Sequence, residues 1–295
     1  MFNRIFLFLA TNMAILFVLN ISMKVLGFDT YMAATGQDTM GLLVFAAIIG
    51  MSGSFISLAM SKSMAKRTTG AKVIEQPDND AERWLLEIVK SQSERAGIGM
   101  PEVAIYNSPD MNAFATGMNK NKALVAVSTG LLNSMTRDEA EAVLAHEVTH
   151  VANGDMVTMA LIQGVLNTFV VFISRIIGGI VDSAISGNRD SGGRVGIGYW
   201  ITSIVAELVL GVLASIIVFW FSRRREFRAD FGGGQLAGKA NMIAALERLR
   251  SVHEPKDLPE SIAAFGISNG AGRFGKLFSS HPPMEERIAA LKLES

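Results

Sequence analysis

The segment His146-Glu147-Val148-Thr149-His150 is the first place where this sequence holds residues suited to catalysis. Residues i and i+4 share one face of a helix. Two imidazoles can therefore aim nitrogens at a common point about 2.0–2.1 Å away, the distance zinc takes to histidine. Glu147 sits beside the pair and is not needed as a ligand, so it is free to accept a proton from water as a general base. Thr136 and Glu139 have the Thr-x-x-Glu spacing of a capping box, which opens a helix through Ala140, Val143 and Leu144 into the motif. The plainer alternative is two solvated histidines on a surface helix, a poor fit to this motif in this helical context.

Two histidines leave a catalytic zinc one protein ligand short, because such sites use three and keep a further position open. The chain has no cysteine and four histidines, so the third ligand is His253, His281 or a carboxylate. Glu226 stands out in Glu226-Phe227-Arg228-Ala229-Asp230. Asp230 lies one turn further on the same face and can accept the second N–H of a ligand histidine, fixing its tautomer. The pair also reads as ordinary surface acids beside an arginine run. Asp155 reads either as a partner of the motif or as a polar residue at a helix end.

The elements that must hold these residues are partly membrane helices. The 295 residues are 49% hydrophobic and only 18% charged. Mean hydropathy is +0.33. That argues against a disordered chain. Lys plus Arg and Asp plus Glu both number 27, so a globally basic nucleic-acid binder is excluded. The missing cysteines exclude disulfides, thiol catalysis and Cys-ligated metal sites. Four apolar stretches, residues 5–23, 39–61, 156–181 and 195–222, approach or exceed the length that spans a bilayer. Lys62, Lys66, Arg67 and Lys72 follow the second; Arg223, Arg224, Arg225 and Arg228 follow the fourth. Positive residues stay in the cytoplasm. Both termini and both polar segments are therefore expected there, with a multi-pass protein in the membrane. Arg175 and Glu207 interrupt the last two stretches near one depth and read as a structural ion pair or as snorkelling side chains, in preference to a transport role.

The expected division is an N-terminal pair of transmembrane helices over 1–65, the first half of a cytoplasmic catalytic domain over 66–155, a second membrane hairpin over 156–222 and the second half over 223–295. Within the polar segments a helix is expected over 77–95, a strand over 103–106 and a hairpin of strands 113–116 and 124–128. The motif helix spans 137–152. A stretch over 266–275 reads as a cover over the cleft or as a surface loop.

The chain resembles the HtpX family of membrane-bound zinc metalloproteases, related to the CAAX prenyl-protease type. The resemblance rests on His146-Glu147-x-x-His150, Glu226-x-x-Ala229-Asp230, Asn112-Ala113-Phe114-Ala115-x-Gly117 and His281-Pro282-Pro283-x-x-x-Arg287, in that family's arrangement of spans. It implies one zinc per chain, held by His146, His150 and Glu226, with Glu147 as general base and Asp230 behind the ligands. It places Asn112, Ala113, Phe114 and Ala115 on an edge strand that pairs with an extended substrate, and His281 and Arg287 near the oxyanion. It implies a mainly α fold with a small antiparallel β-sheet, a zincin-type catalytic domain on a four-helix transmembrane anchor. The implied activity is peptide-bond hydrolysis in membrane-protein quality control and stress response, in the bacterial cytoplasmic (inner) membrane. Partners would be misfolded membrane proteins and the lipid bilayer, without nucleic acid; a homo-oligomer is left open. The competing reading is a metal-dependent membrane sensor or scaffold that binds proteins without cleaving them. Glu147 speaks against it, since binding alone requires no base.

Overall fold

A computed structural model describes residues 39–186, 196–253 and 279–293. The first apolar stretch (5–23), the loop that follows it, much of the loop between the last two spans and the glycine-rich stretch at 266–275 lie outside the described residues, as does the His253 side chain.

In chain order the elements are α1 (Thr39–Thr69), β1 (Lys72–Val73), α2 (Asp80–Arg95), β2 (Glu102–Tyr106), β3 (Ala113–Thr116), β4 (Leu124–Ser128), α3 (Thr129–Ser134), α4 (Arg137–Asn153), α5 (Asp155–Ser186), α6 (Ile197–Ala237), α7 (Lys239–His253) and α8 (Met284–Leu293). By internal contacts the chain divides into two compact units, Met1–Ile56 with Ala160–Ser215, and Ser57–Met159 with Ile216–Ser295.

In the first unit, α1, α5 and α6 contribute apolar helical segments. Among the described residues these three helices are long and apolar enough to cross a membrane. Val44, Phe45, Ile48, Leu208 and Val212 point outward and exposed. A soluble surface would avoid such a band, whereas lipid accepts it. Inside, Leu43, Ala46, Phe172 and Ile176 pack together. Gly50 lets α1 approach α5: a Cβ there would sit 2.6 Å from Thr168 Oγ1. Arg175 Nη2 lies 3.1 Å from Glu207 Oε1, the first of the two readings the sequence allowed, and Arg175 also stacks over the Trp200 ring.

In the second unit, the sheet order is β1-β2-β4-β3. The hairpin β3–β4 is antiparallel as expected, with Ala113 opposite Val127. The sheet as a whole is mixed, which corrects the antiparallel expectation. β2 pairs in parallel with β4, Glu102 opposite Leu124 through Tyr106 opposite Ser128. The cause is that β3 does not insert next to β2. It folds back on the outer side of β4, leaving β4 as a central strand buried at every position. The short β1 then pairs antiparallel with β2. β3 and β1 are the two edges.

One face of this sheet and the helices α2, α4, α7 and α8 enclose the main core, with Leu85, Val103, Val125, Leu144, Val148, Leu246 and Ile288 buried in it. Asn79, not Pro77, starts α2, its side chain accepting from Glu82 N. The capping box of α4 is present, Glu139 N donating to Thr136 Oγ1 and Thr136 N to Glu139 Oε2. Gly154, at φ +66°, ends α4 in the left-handed conformation that glycine adopts without Cβ strain, and α5 begins at the next residue.

Candidate metal centre

Helix α4 carries His146, Glu147 and His150 on adjoining positions of one face, and α6 crosses it beyond the arginine run. The crossing is close because of two glycines. A Cβ on Gly232 would meet the Thr149 side chain, lying 2.9 Å from its Oγ1, and one on Gly233 would lie 3.1 Å from His146 N. Gly232 and Gly233 therefore set the distance at which Glu226 and Asp230 meet the histidines.

The two Nε2 atoms of His146 and His150 are 3.1 Å apart. Glu226 Oε2 lies 3.5 Å from His146 Nε2, and Oε1 lies 3.4 Å from His150 Nε2. Ligands about 2.0–2.1 Å from a tetrahedral centre stand about 3.3–3.4 Å from one another, so this triangle has the size a zinc site requires. All three residues are buried, Glu226 to 1% exposure.

The outer partners decide which ring nitrogens hold protons. His150 Nδ1 lies 2.7 Å from Asp155 Oδ2, and His146 Nδ1 lies 2.9 Å from Asp230 Oδ1. Asp155 favours the proton on His150 Nδ1, leaving its Nε2 lone pair towards Glu226; Asp230 flanks His146 Nδ1 without a hydrogen bond of good geometry among the described residues. Glu226 Oε1 is buried with no hydrogen-bond partner among the described residues. Three converging electron-pair donors, one an orphaned carboxylate oxygen, fit a divalent cation.

Without a cation the same crowding displaces the titrations. Burial disfavours charge on His150, but Asp155 and Glu226 outweigh it and push its pKa up to about 9. Burial likewise opposes charge on His146, and Asp230 and Glu226 raise its pKa. Burial alone would raise Glu226, yet its contacts with His146, His150 and His281 hold it well below the usual carboxylate range. Asp230 is also lowered against burial, chiefly by Arg287.

Every site residue of the sequence reading is described here. Arg287 is buried, its Nε donating to Asp230 Oδ2 at 2.7 Å and its Nη2 to the other oxygen, while Nη1 stands 3.7 Å from Glu226 Oε2. The His281 side chain is 58% exposed and its Nδ1 lies 3.0 Å from Glu226 Oε2. Glu147 is half-buried and faces a cleft of about 730 Å³. Asn112 and Ala113 form part of the cleft's wall, and Phe114 and Ala115 continue along β3 away from it. The sequence left Asp155 undecided. Its place one residue after the helix-ending Gly154 was the available signal, since that turn brings the chain back beside His150.

Residues 79–295 match the family model of peptidase family M48. The chain belongs to that family. It is 61% identical over 294 residues to the protease HtpX homolog of Nitrosomonas europaea, covering 99% of both chains. It is equally 61% identical over 293 residues to protease HtpX of Xanthomonas oryzae pv. oryzae, covering 99% of this chain and 98% of that one. The fold is similar to the crystal structure of S. mikatae Ste24p, with a TM-score of 0.62 at 19% identity, over 96% of this chain and 66% of that one. As an M48 peptidase with three helices among its described residues able to cross a bilayer, the protein is a membrane metalloprotease. Its activity calls for a metal, and His146, His150 and Glu226 form a group able to hold one.

Proposed function

We propose that this protein is a zinc endopeptidase whose single metal is held by His146, His150 and Glu226, with Glu147 as general base. The observation that carries the reading is the triangle of donors at 3.1, 3.4 and 3.5 Å, its two rings oriented from behind by Asp155 and Asp230. Bound zinc would supply Lewis acidity to the scissile carbonyl and to the attacking water. Glu147 takes the proton of that water and delivers it to the leaving amine. Asp155 and Asp230 keep the rings in place while charge moves. Arg287 holds Asp230 and adds positive charge on the Glu226 side, and His281, beside Glu226 Oε2, would donate a hydrogen bond to an oxyanion that develops there. The edge strand β3, with Ala113, Phe114 and Ala115, would offer its outer backbone groups to an extended chain, while Asn112, bonded to Ser128 through both N–H and C=O, would contribute its side chain at the strand's start.

The catalytic halves 66–155 and 223–295 form a zincin-type domain on a four-helix anchor, with 1–65 and 156–222 as the membrane pairs. The lysines and arginines after the second and fourth stretches place this domain on the cytoplasmic side of the bacterial inner membrane. An extended, apolar-tolerant cleft at that surface suits misfolded or damaged membrane proteins as substrates. The test is cleavage of a model unfolded protein by the purified full chain. Activity should vanish with a chelator and with Glu147→Gln. Cleavage that persists in Glu147→Gln would remove Glu147 from the reaction.

A further inference from the structure

An arginine run at the end of a span fixes its orientation wherever the guanidinium groups point. In α6 the three members of the run make different contacts. The Arg224 guanidinium lies over the Trp220 ring, 4.5 Å from its centre. Arg225 Nε stands 3.7 Å from Glu226 Oε1. Arg223 Nη1 donates to the carbonyl oxygen of Ser279 at 2.7 Å, and Ser279 Oγ in turn donates to the carbonyl oxygen of His281 at 2.7 Å. Arg223, Glu226 and Asp230 stand at i, i+3 and i+7, on one face of α6. Each meets one point of the chain that enters α8: Arg223 meets Ser279, Glu226 meets His281 Nδ1 at 3.0 Å, and Asp230 meets Arg287. Residues 279–287 are thus strapped along successive turns of α6, with His281 between the two outer ties.

We infer that Arg223 is a positioning residue for the peptidase reaction: through Ser279 it holds the His281 imidazole beside Glu226, an inference that rests on reading His281 as a donor to the developing oxyanion. The His281 side chain is 58% exposed, so packing alone does not fix it. The far tie is firm, because Arg287 is buried against Asp230 and the rigid Pro282 and Pro283 lead back from there. The near tie is the Arg223 contact. A hydrogen bond from an ionised donor is roughly twice as strong as a neutral one. Precision matters at this position, since misplacing a reacting group by about 1 Å can cost about 10² in rate.

Full-length variants, loaded with zinc in lipid nanodiscs, are compared for metal content, kcat and KM on a quenched fluorescent peptide. His281→Ala should lower kcat by about 10²- to 10³-fold, the cost of one oxyanion donor. Arg223→Gln should keep its zinc and lower kcat by about tenfold or more, with KM within about twofold of the parent. Arg224→Gln, an equal loss of charge in the same run, should match the parent. On the His281→Ala background, Arg223→Gln should cost nothing further, since both act through one group. An unchanged kcat in Arg223→Gln overturns the inference, as does a loss that persists in full without His281. So does loss of zinc in Arg223→Gln, or an equal fall in Arg224→Gln, which would trace the effect to charge at the membrane. Where Arg223→Gln does not insert, Ser279→Ala breaks the second bond without touching α6; it should lower kcat in the same way, and a parent-level kcat there overturns the inference. A parent-level kcat in His281→Ala instead overturns the reading of His281 on which the inference rests.

Discussion

Asp155 Oδ2 lies 2.7 Å from His150 Nδ1 and Asp230 Oδ1 lies 2.9 Å from His146 Nδ1, so in the proposed metal site each stands behind one ligand imidazole. Asp155→Ala should weaken metal binding by about 10- to 100-fold, the usual cost of losing such a partner, as read by competition with a coloured chelator. Unchanged affinity would mean that Asp155 serves only as the first residue of α5. The metal-stripped protein carries a further signature. The pKa of His150 is pushed up to about 9 there by Asp155 and Glu226 against the effect of burial, from about 6.5 in an unfolded chain. The folded state then binds the proton more tightly. This contribution to stability is fully present below about pH 6.5 and is lost as pH rises through about 9. Thermal melts of chelated protein should therefore fall over that window relative to metal-loaded protein, whose rings stay neutral at all these pH values. Parallel curves would contradict the contacts assigned to His150. At this scale the sequence made the juxtaposition of His146 and His150 legible, because i and i+4 share one face of a helix. It left Asp155 open, since Gly154 signals the end of α4 but not which side chain the next residue meets.

Between elements, the decisive contact is α6 against α4. Gly232→Ala places a methyl group against Thr149 and should destabilise the fold by about 1–3 kcal/mol, as overpacking does. It should also lower metal affinity, because Glu226 and Asp230 lie on the helix that is displaced. Thr149→Ala in the same chain removes the obstructing atoms and should restore both properties. Failure of the double variant to recover would show that Gly232 acts on helix propensity instead of packing. The sequence allowed α2, α4 and the β3–β4 hairpin to be placed, since capping residues and the apolar runs around a turn are local signals. It did not reveal the parallel pairing of β2 with β4. Periodicity says which face of a strand is buried but not which strand lies beside it. The uninterrupted apolar run Ala123 to Val127 was the one hint, since a strand covered on both faces is usually central, as the burial of β4 shows it to be. The two-residue β1 is too short to carry any pattern. The role of Gly232 and Gly233 was equally hidden, for a glycine run reads as loosened backbone until the helix that it faces is known.

For the whole molecule, the ligands come from opposite sides of a long excursion. His150 precedes α5 and Glu226 lies far along α6, so one metal joins them only if both ends of that helix pair emerge on one side of the membrane. The native chain has no cysteine, which permits single-cysteine labelling without background. A cysteine at Ser191 should react with an impermeant reagent in intact cells, whereas one at the exposed Ser91 should react only after permeabilisation. External labelling at Ser91 would overturn the cytoplasmic placement, and protection at Ser191 would mean that α5 and α6 do not both span. The ion pair of Arg175 with Glu207 was readable because two opposite charges inside apolar stretches have few other partners.

The central claim is that His146, His150 and Glu226 bind the metal that Glu147 then uses. Elemental analysis of purified, folded full-length variants, paired with cleavage assays of the same samples, tests it most directly. The account predicts about one zinc per chain in the parent and in Glu147→Gln, with cleavage in the latter reduced by about 10²- to 10⁴-fold or more. It predicts metal loss in His146→Ala, His150→Ala and Glu226→Ala. Full zinc occupancy in a folded Glu226→Ala protein, or undiminished cleavage by Glu147→Gln, would contradict it.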